Sequence, residues 1–359
     1  MSDLNITLIV ILALLLTFNY LSLYSKKSAI KTVNDMGIGY NLGKTFNFFD
    51  TSEKNTENYQ IKMWGTILPT KKMINKIKKY GFKTIRFEVI PTNSMDDSGK
   101  INSEWISKIK EVANWVINSN MYIILSVYFE GIYWQRKNII YKYINFWKQI
   151  GNELINFDEH LIFESKNEYD YQFLYEYHFD FKEDFYYDYE NYSMNLFNST
   201  QAFIYTIRNS GGFNKERLLI IPGILNEVEI SFYNFFETEI PIDPSNKLAV
   251  SLNYYFPSQM YQSFYYTPMR WYNKYGIYYS AESITNWGSN KDYQEIIKYF
   301  DFLKKYFINK GIPVIIGQVG ILIEKEIDFN SFKEFLYVIF SISVETNGIM
   351  SCLWDISEK

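Results

Sequence analysis

The chain has 359 residues, 47% apolar and 21% charged, which is enough for one large core. Its formal charge of −4 and the lack of a long Lys/Arg cluster argue against a nucleic-acid partner, because phosphate neutralisation needs a basic patch. The single cysteine, Cys352, excludes an internal disulfide and a thiolate metal cluster, and two histidines, His160 and His178, leave little for a zinc site or a Ser-His-Asp triad. No cofactor or metal is expected, so catalysis would fall to carboxylates.

Residues 1–24 stand apart. Ile6 to Phe18 is apolar except for two threonines, and the run continues less cleanly to Tyr24, a length that can just span a bilayer as a helix. Asp3 and the absence of Lys or Arg before the run suit a signal peptide poorly, while Lys26, Lys27 and Lys31 follow it. Three fates are open: an uncleaved membrane anchor through residues 6–24, a cleaved signal of a secreted protein, or a buried helix. Residues 25–36 read as a linker, and 37–359 as one domain.

From there strand-like and helix-like segments alternate. Gly37–Leu42 reads as a strand, Thr70–Tyr80 as a helix closed by Gly81, and Phe82–Val89 as a strand. Ser103–Asn118 is an amphipathic helix, followed by a buried strand over Met121–Val127 and a helix near Ile144–Leu154. His160–Ser165, Leu218–Pro222, Leu248–Tyr255, Val314–Gly317 and Ile349–Trp354 complete the strands; Asn191–Asn209, Asp292–Ile308 and Phe332–Val344 are further helices. Eight βα repeats predict a closed α/β barrel, a (β/α)8 TIM barrel. An open doubly wound sheet is the alternative, but no Gly-rich dinucleotide turn follows the first strand. With five residues after Trp354, the final helix is expected to be lacking and part of the outer ring uncovered.

A TIM barrel does its chemistry at the C-terminal strand ends. Here those ends carry Asn41, Arg86 with Glu88, Tyr128 with Phe129 and Glu130, Asn167 with Glu168, Asn253 with Tyr255, Gln318 and Trp354. The phrases GYNLGKTF (39–46), GFKTIRF (81–87), DEHLIFESKNE (158–168), LAVSLNYYFP (248–257), GIPVIIGQVG (311–320) and CLWD (352–355) resemble family 5 glycoside hydrolases, most of all the endoglucanase branch. The resemblance runs collinearly from Gly37 to Asp355. It implies retaining cleavage of β-linked glucan between two glutamates, roughly 5–5.5 Å apart. By the resemblance, Glu168 takes the acid/base position and Gln318 the nucleophile position, where the family has Glu. Arg86, Tyr128, Asn167, Asn253, Tyr255 and Trp354 take substrate-binding positions, with Trp354 as a stacking platform for a sugar ring. The departures from the family cluster at the site: Gln318, Tyr128 and Phe129 in place of a His pair, Asn253 in place of a His, and Tyr169 after the acid. They imply a catalytically impaired relative; the alternative is a working β-glucan hydrolase that uses Glu168 with a displaced partner.

Several residues invite both a structural and a functional reading. Glu88 and Glu130 could activate water for inverting hydrolysis, or be solvated rim charges. Seven aromatic residues at successive odd positions from Tyr169 to Phe181 suggest one face of a hairpin, either lining the cleft or packed on the rim. His160 and His178 are not placed like family active-site histidines.

Overall fold

The computed structural model describes residues 27–43, 46, 68–91, 94–96, 98–129, 137–166, 184–227, 240–254, 287–320 and 328–354. In chain order the elements are α1 (Ala29–Met36), β1 (Gly39–Leu42), α2 (Lys71–Lys79), β2 (Thr84–Val89), α3 (Ser103–Ile117), β3 (Tyr122–Val127), α4 (Lys137–Glu153) and β4 (Leu161–Glu164). Then come α5 (Asp184–Asn209), β5 (Leu219–Glu227), β6 (Leu248–Tyr254), α6 (Asn290–Tyr306), β7 (Val314–Val319), α7 (Phe329–Glu345) and β8 (Ile349–Leu353). The eight strands close into one barrel in sequence order, with every neighbouring pair parallel. The expected barrel is present.

Local chemistry sets the helix ends. The Thr70 side chain accepts from the Met73 amide to start α2, and Gly81 at φ +94° ends that turn. Asn102 accepts from the Glu104 and Trp105 amides to start α3, whose Trp105, Ile109, Val112 and Val116 form the buried stripe.

Two separate cores follow from strand alternation. Ile85, Phe87, Ile123, Leu125 and Phe163 point outward and pack under the helices. Ile124, Ile162, Ile220, Ala249, Ile315, Met350 and Cys352 fill the barrel itself. Gly39 is bare for a reason: a Cβ there would lie 2.4 Å from the Cys352 sulfur.

The N-terminal (lower) end of the barrel is closed by α1, in the stretch read from sequence as a linker. Ser28 caps it, and Ala29, Val33 and Met36, at i, i+4 and i+7, join the interior core. Thr84 Oγ1 donates to the Met36 carbonyl at 2.6 Å, and the Gly348 amide donates to Asn34 Oδ1 at 2.7 Å. The interspersed lysines and polar residues mask this spacing in the sequence.

The lower rim also holds a buried ion pair. Arg208 donates to both Asp243 oxygens at 2.8 and 2.9 Å. Burial alone would raise the Asp243 carboxyl, but Arg208 and the Lys247 and Ser245 amides outweigh it and hold the group below its ordinary 3.8. A depressed carboxyl stabilises the fold above the unfolded-state value, and that contribution is lost as pH falls below 3.8. Asp243→Asn is therefore expected to flatten the loss of stability between about pH 5 and about pH 2 in urea unfolding. An unchanged acid slope would refute this role.

Among the described residues, no helix follows β8, and none is long and apolar enough to cross a membrane. The segment 1–24 lies outside the described residues.

Candidate active site

At the C-terminal ends of the strands the barrel interior turns polar. Alternation in β2 sends Ile85 and Phe87 outward and leaves Arg86 inside, fully buried. The same parity in β4 leaves Glu164 inside between Phe163 and Ser165, also fully buried. Arg86 meets it as a fork: Nε to Oε2 at 2.7 Å and Nη2 to Oε1 at 2.9 Å. Its Nη1 donates to Asn41 Oδ1 at 3.0 Å, and Asn41 Nδ2 donates onward to the Gly317 carbonyl at 2.8 Å and the Leu353 carbonyl at 3.1 Å. The network thus ties β1, β2, β4, β7 and β8 together under the mouth. Burial by itself disfavours the charged guanidinium; Glu164, with Glu88 behind it, reverses that and holds Arg86 more firmly protonated than an ordinary arginine. The Cys352 thiol near this pair is pushed by burial up to about 12, which leaves it inert.

Gly317 is what lets the pair fit. A Cβ there would lie 3.0 Å from Ser251 Oγ and 3.3 Å from Arg86 Nε. It is also an extra residue in the ladder: Leu252 pairs with Ile316, but Asn253 pairs with Gln318. This bulge brings Gln318 level with Asn253, and both are buried.

The sequence-predicted positions divide as follows. Arg86, Asn253 and Gln318 lie together at the polar end of the barrel, with Arg86 beneath the mouth rather than on its surface. Tyr128 is half-buried at the end of β3, its amide donating to the Val89 carbonyl at 2.9 Å. Phe129, by contrast, turns away and packs edge-on to Tyr143 and Phe146 in the outer core. Trp354 is half-buried; its amide donates to the Val319 carbonyl at 2.7 Å. Its ring lies against Gly43 at the end of β1, where a Cβ would come within 2.6 Å of it. Glu88 is 6% exposed, so it is a buried carboxylate and not a solvated rim charge. Asn167, Glu168 and Tyr255 lie outside the described residues, as do Glu130, Glu324, His178 and the aromatic stretch 169–181.

Sequence reasoning missed Glu164. The signal was there: a charged side chain on the inward parity of a buried strand needs a partner, and Arg86 occupies the matching parity of β2. His160 sits at the other end of the barrel, with Nδ1 3.1 Å from Asp158 and its ring 4.6 Å from the Tyr122 ring. Asp158, Glu159 and His160 place ligand atoms within 4.8 Å of one another, far from the polar mouth.

Chemically, the described mouth offers carboxamides and rings. Asn253 and Gln318 carry carboxamides that can donate and accept hydrogen bonds, and Trp354 offers a flat apolar ring face, while Asn41 is committed to Arg86 and to the Gly317 and Leu353 carbonyls. The Arg86–Glu164 pair, tied through Asn41 to β7 and β8, supplies a rigid floor.

Residues 42–359 match the family model described as Cellulase (glycosyl hydrolase family 5). The chain is 30% identical over 339 residues to Endoglucanase A of Clostridium longisporum, an alignment covering 92% of this chain and 60% of that protein. It therefore spans about three fifths of that relative's length. A GH5-4 broad-specificity endoglucanase from an uncultured bovine rumen ciliate is similar in structure, with 40% identity, a TM-score of 0.76, and coverage of 93% of this chain and 90% of that one. A glutamate-to-glutamine mutant of a lichenase from Caldicellulosiruptor sp. F32, in complex with cellotetraose, is also similar: 27% identity, a TM-score of 0.75, and 92% and 86% coverage.

Proposed function

Because the chain belongs to the glycosyl hydrolase family 5 cellulases, we propose that its barrel mouth binds a β-linked glucan and that hydrolysis there is strongly impaired. The observation that carries this reading is Gln318 on β7, held beside Asn253 by the Gly317 bulge. Retaining hydrolysis needs a carboxylate to attack the anomeric carbon while a second carboxylic acid protonates the leaving oxygen. The Gln318 carboxamide has neither the negative charge nor the nucleophilicity for the first task. It keeps the hydrogen-bonding capacity to hold a sugar hydroxyl. The mutant lichenase supports the same separation of binding from cleavage, since a family member carrying a Glu-to-Gln exchange is found with cellotetraose. Glu168, two residues beyond the buried Lys166, takes the acid/base position.

Titration calorimetry with cellotetraose tests binding, and release of dinitrophenol from dinitrophenyl cellobioside tests cleavage. The expected result is saturable binding with little turnover. Trp354→Ala should weaken binding about tenfold, or roughly 1.4 kcal/mol, by removing the stacking face. Absence of binding, or turnover abolished by Glu168→Ala, would sink the impaired-binder reading.

The burial of Glu88 favours a second reading, inverting hydrolysis with Glu88 activating water opposite Glu168. Its mark would be a product of inverted anomeric configuration, lost in Glu88→Gln.

A further inference from the structure

We propose that Glu88 and Lys166 form a specificity pair in the uppermost layer of the barrel interior. The Glu88 carboxylate accepts a hydrogen bond from a hydroxyl of the bound sugar, and Lys166 is the positioning residue that keeps that carboxylate charged. This inference rests on the glucan reading above and names the groups that read the sugar.

A barrel of this kind is filled by layers of four side chains, each layer drawn from alternate strands. The Arg86–Glu164 fork joins β2 to β4 and so marks one layer. Ser251 of β6 belongs to it, because a Cβ on Gly317 would lie 3.0 Å from Ser251 Oγ and 3.3 Å from Arg86 Nε. So does Cys352 of β8, whose thiol feels the charges of both Arg86 and Glu164. Two residues further along a strand the side chain returns to the same face, about 6–7 Å nearer the mouth. From these four positions that step leads to Glu88, Lys166, Asn253 and Trp354.

The ladders carry the step on both sides of the fork. Strand β2 pairs with β3 without a break as far as Val89, with Glu88 opposite Ser126. On β4, Glu164 pairs with Ser126 and Ile220, and the Ser165 amide still donates to the Ile220 carbonyl at 2.9 Å. The Ser165 carbonyl accepts from Tyr143 of the outer helix α4 at 3.0 Å, and Lys166 returns to the parity of Glu164. Both charged groups are buried, Glu88 at 6% exposure and Lys166 at 4%. The upper layer thus repeats the lower one with its charges exchanged: cation on β2 and carboxylate on β4 below, carboxylate on β2 and cation on β4 above. Alone, either buried charge would be driven toward its neutral form; together they offset that cost.

What lies above distinguishes the two layers. Arg86 and Glu164 are committed to each other and to Asn41. Glu88 shares its layer with Trp354, which is half-buried, as is Tyr128 at the end of β3. Ser126 Oγ, fully buried and next to Glu88 in the ladder, has no hydrogen-bond partner among the described residues. A hydrogen bond to an ionised acceptor is roughly twice as strong as one between neutral groups, so Glu88 outranks Asn253 and Gln318 as an acceptor for a sugar hydroxyl. Among the described residues, the charged groups facing Glu88 are Arg86 on its own strand and Glu164 and Lys166 on β4. Ser126, Asn253 and Gln318 carry no charge, and burial keeps the Cys352 thiol neutral. Without Lys166, burial and the like charge of Glu164 act against an Arg86 already engaged elsewhere, and Glu88 takes up a proton as pH falls. A protonated Glu88 no longer offers the charged acceptor.

The test is cellotetraose affinity by titration calorimetry between about pH 8 and about pH 5, in the full chain and three variants. The unaltered protein should hold its affinity within about twofold across that range. Lys166→Met is expected to bind about tenfold more weakly at the acid end than at the alkaline end. Lys166→Arg, which keeps the charge, should follow the unaltered protein. Glu88→Gln should be about tenfold weaker throughout, with no dependence on pH. Buried Cys352 reports folding by staying unreactive to maleimide. If Lys166→Met exposes it, Lys166→Gln supplies the comparison. A loss in Lys166→Met that is equal at every pH assigns Lys166 a purely structural role and overturns the proposal. So does unchanged affinity in Glu88→Gln. If cellotetraose binds and Trp354→Ala weakens it while the Glu88 and Lys166 variants do not, this proposal falls and the glucan reading stands. No binding by the unaltered protein at any pH overturns both.

Discussion

Gln318→Glu is expected to raise turnover of dinitrophenyl cellobioside by about a thousandfold or more, which corresponds to about 4 kcal/mol of transition-state stabilisation. The substitution is nearly isosteric, and the Gly317 bulge already holds position 318 beside Asn253. What it adds is a charge at the point where positive character develops on the sugar, and an oxygen able to form the glycosyl-enzyme bond. The new carboxylate would be buried, and Arg86 is already committed to Glu164. Burial disfavours its ionised form, so the gain should grow as pH rises from about 5 to about 7. Cellotetraose affinity should change little. Intact binding without any gain would move the main defect to the other exchanged positions, Tyr128, Phe129 and Asn253.

Arg86→Met is the substitution expected to damage the fold most, by about 3–5 kcal/mol in urea unfolding, because it strands the Glu164 carboxylate in the barrel interior. The loss comes from the uncompensated charge and not from a large intrinsic worth of the pair. Removing both charges in Arg86→Met/Glu164→Leu should therefore cost clearly less than the sum of the single changes. Strict additivity would mean that the two groups do not act as a unit. Asn41 sharpens the test: Arg86→Met also frees its Oδ1, so Asn41→Ala should cost much less in the Arg86→Met background than alone.

How much of the fold and site is legible in the sequence depends on the range of the signal. Thr70 and Gly81 bracket their helix by local backbone chemistry, and the alternating run of β2 and the continuous apolar run of β3 announce buried strands. Those features need only a few neighbouring residues. The α1 stretch reads as linker because its stripe of Ala29, Val33 and Met36 is short and sits among lysines; it becomes a helix by packing on the barrel. Strand β7 reads as ending at Gly317, yet it continues to Val319, because the glycine is a bulge and not a stop. Of the site, the family resemblance located Gln318, Asn253 and Trp354. The Arg86–Glu164 fork joins strands 78 positions apart, and no local pattern encodes that contact.

The way α1 is fastened has a consequence for how the chain reaches its final form. Asn34 on α1 bonds to the Gly348 amide, 314 positions away, and β1 completes its ladder only against Cys352 and Leu353. Neither contact exists until nearly the whole sequence has left the ribosome. The earlier strands can pair progressively as they emerge, and Arg86 can meet Glu164 before the second half of the chain is made. Closure is then the last and entropically most expensive event, with the β1 edge left open to wrong partners until β8 arrives. In a refolding experiment, protection of the Gly348 amide should therefore appear after that of the β2–β3–β4 ladder.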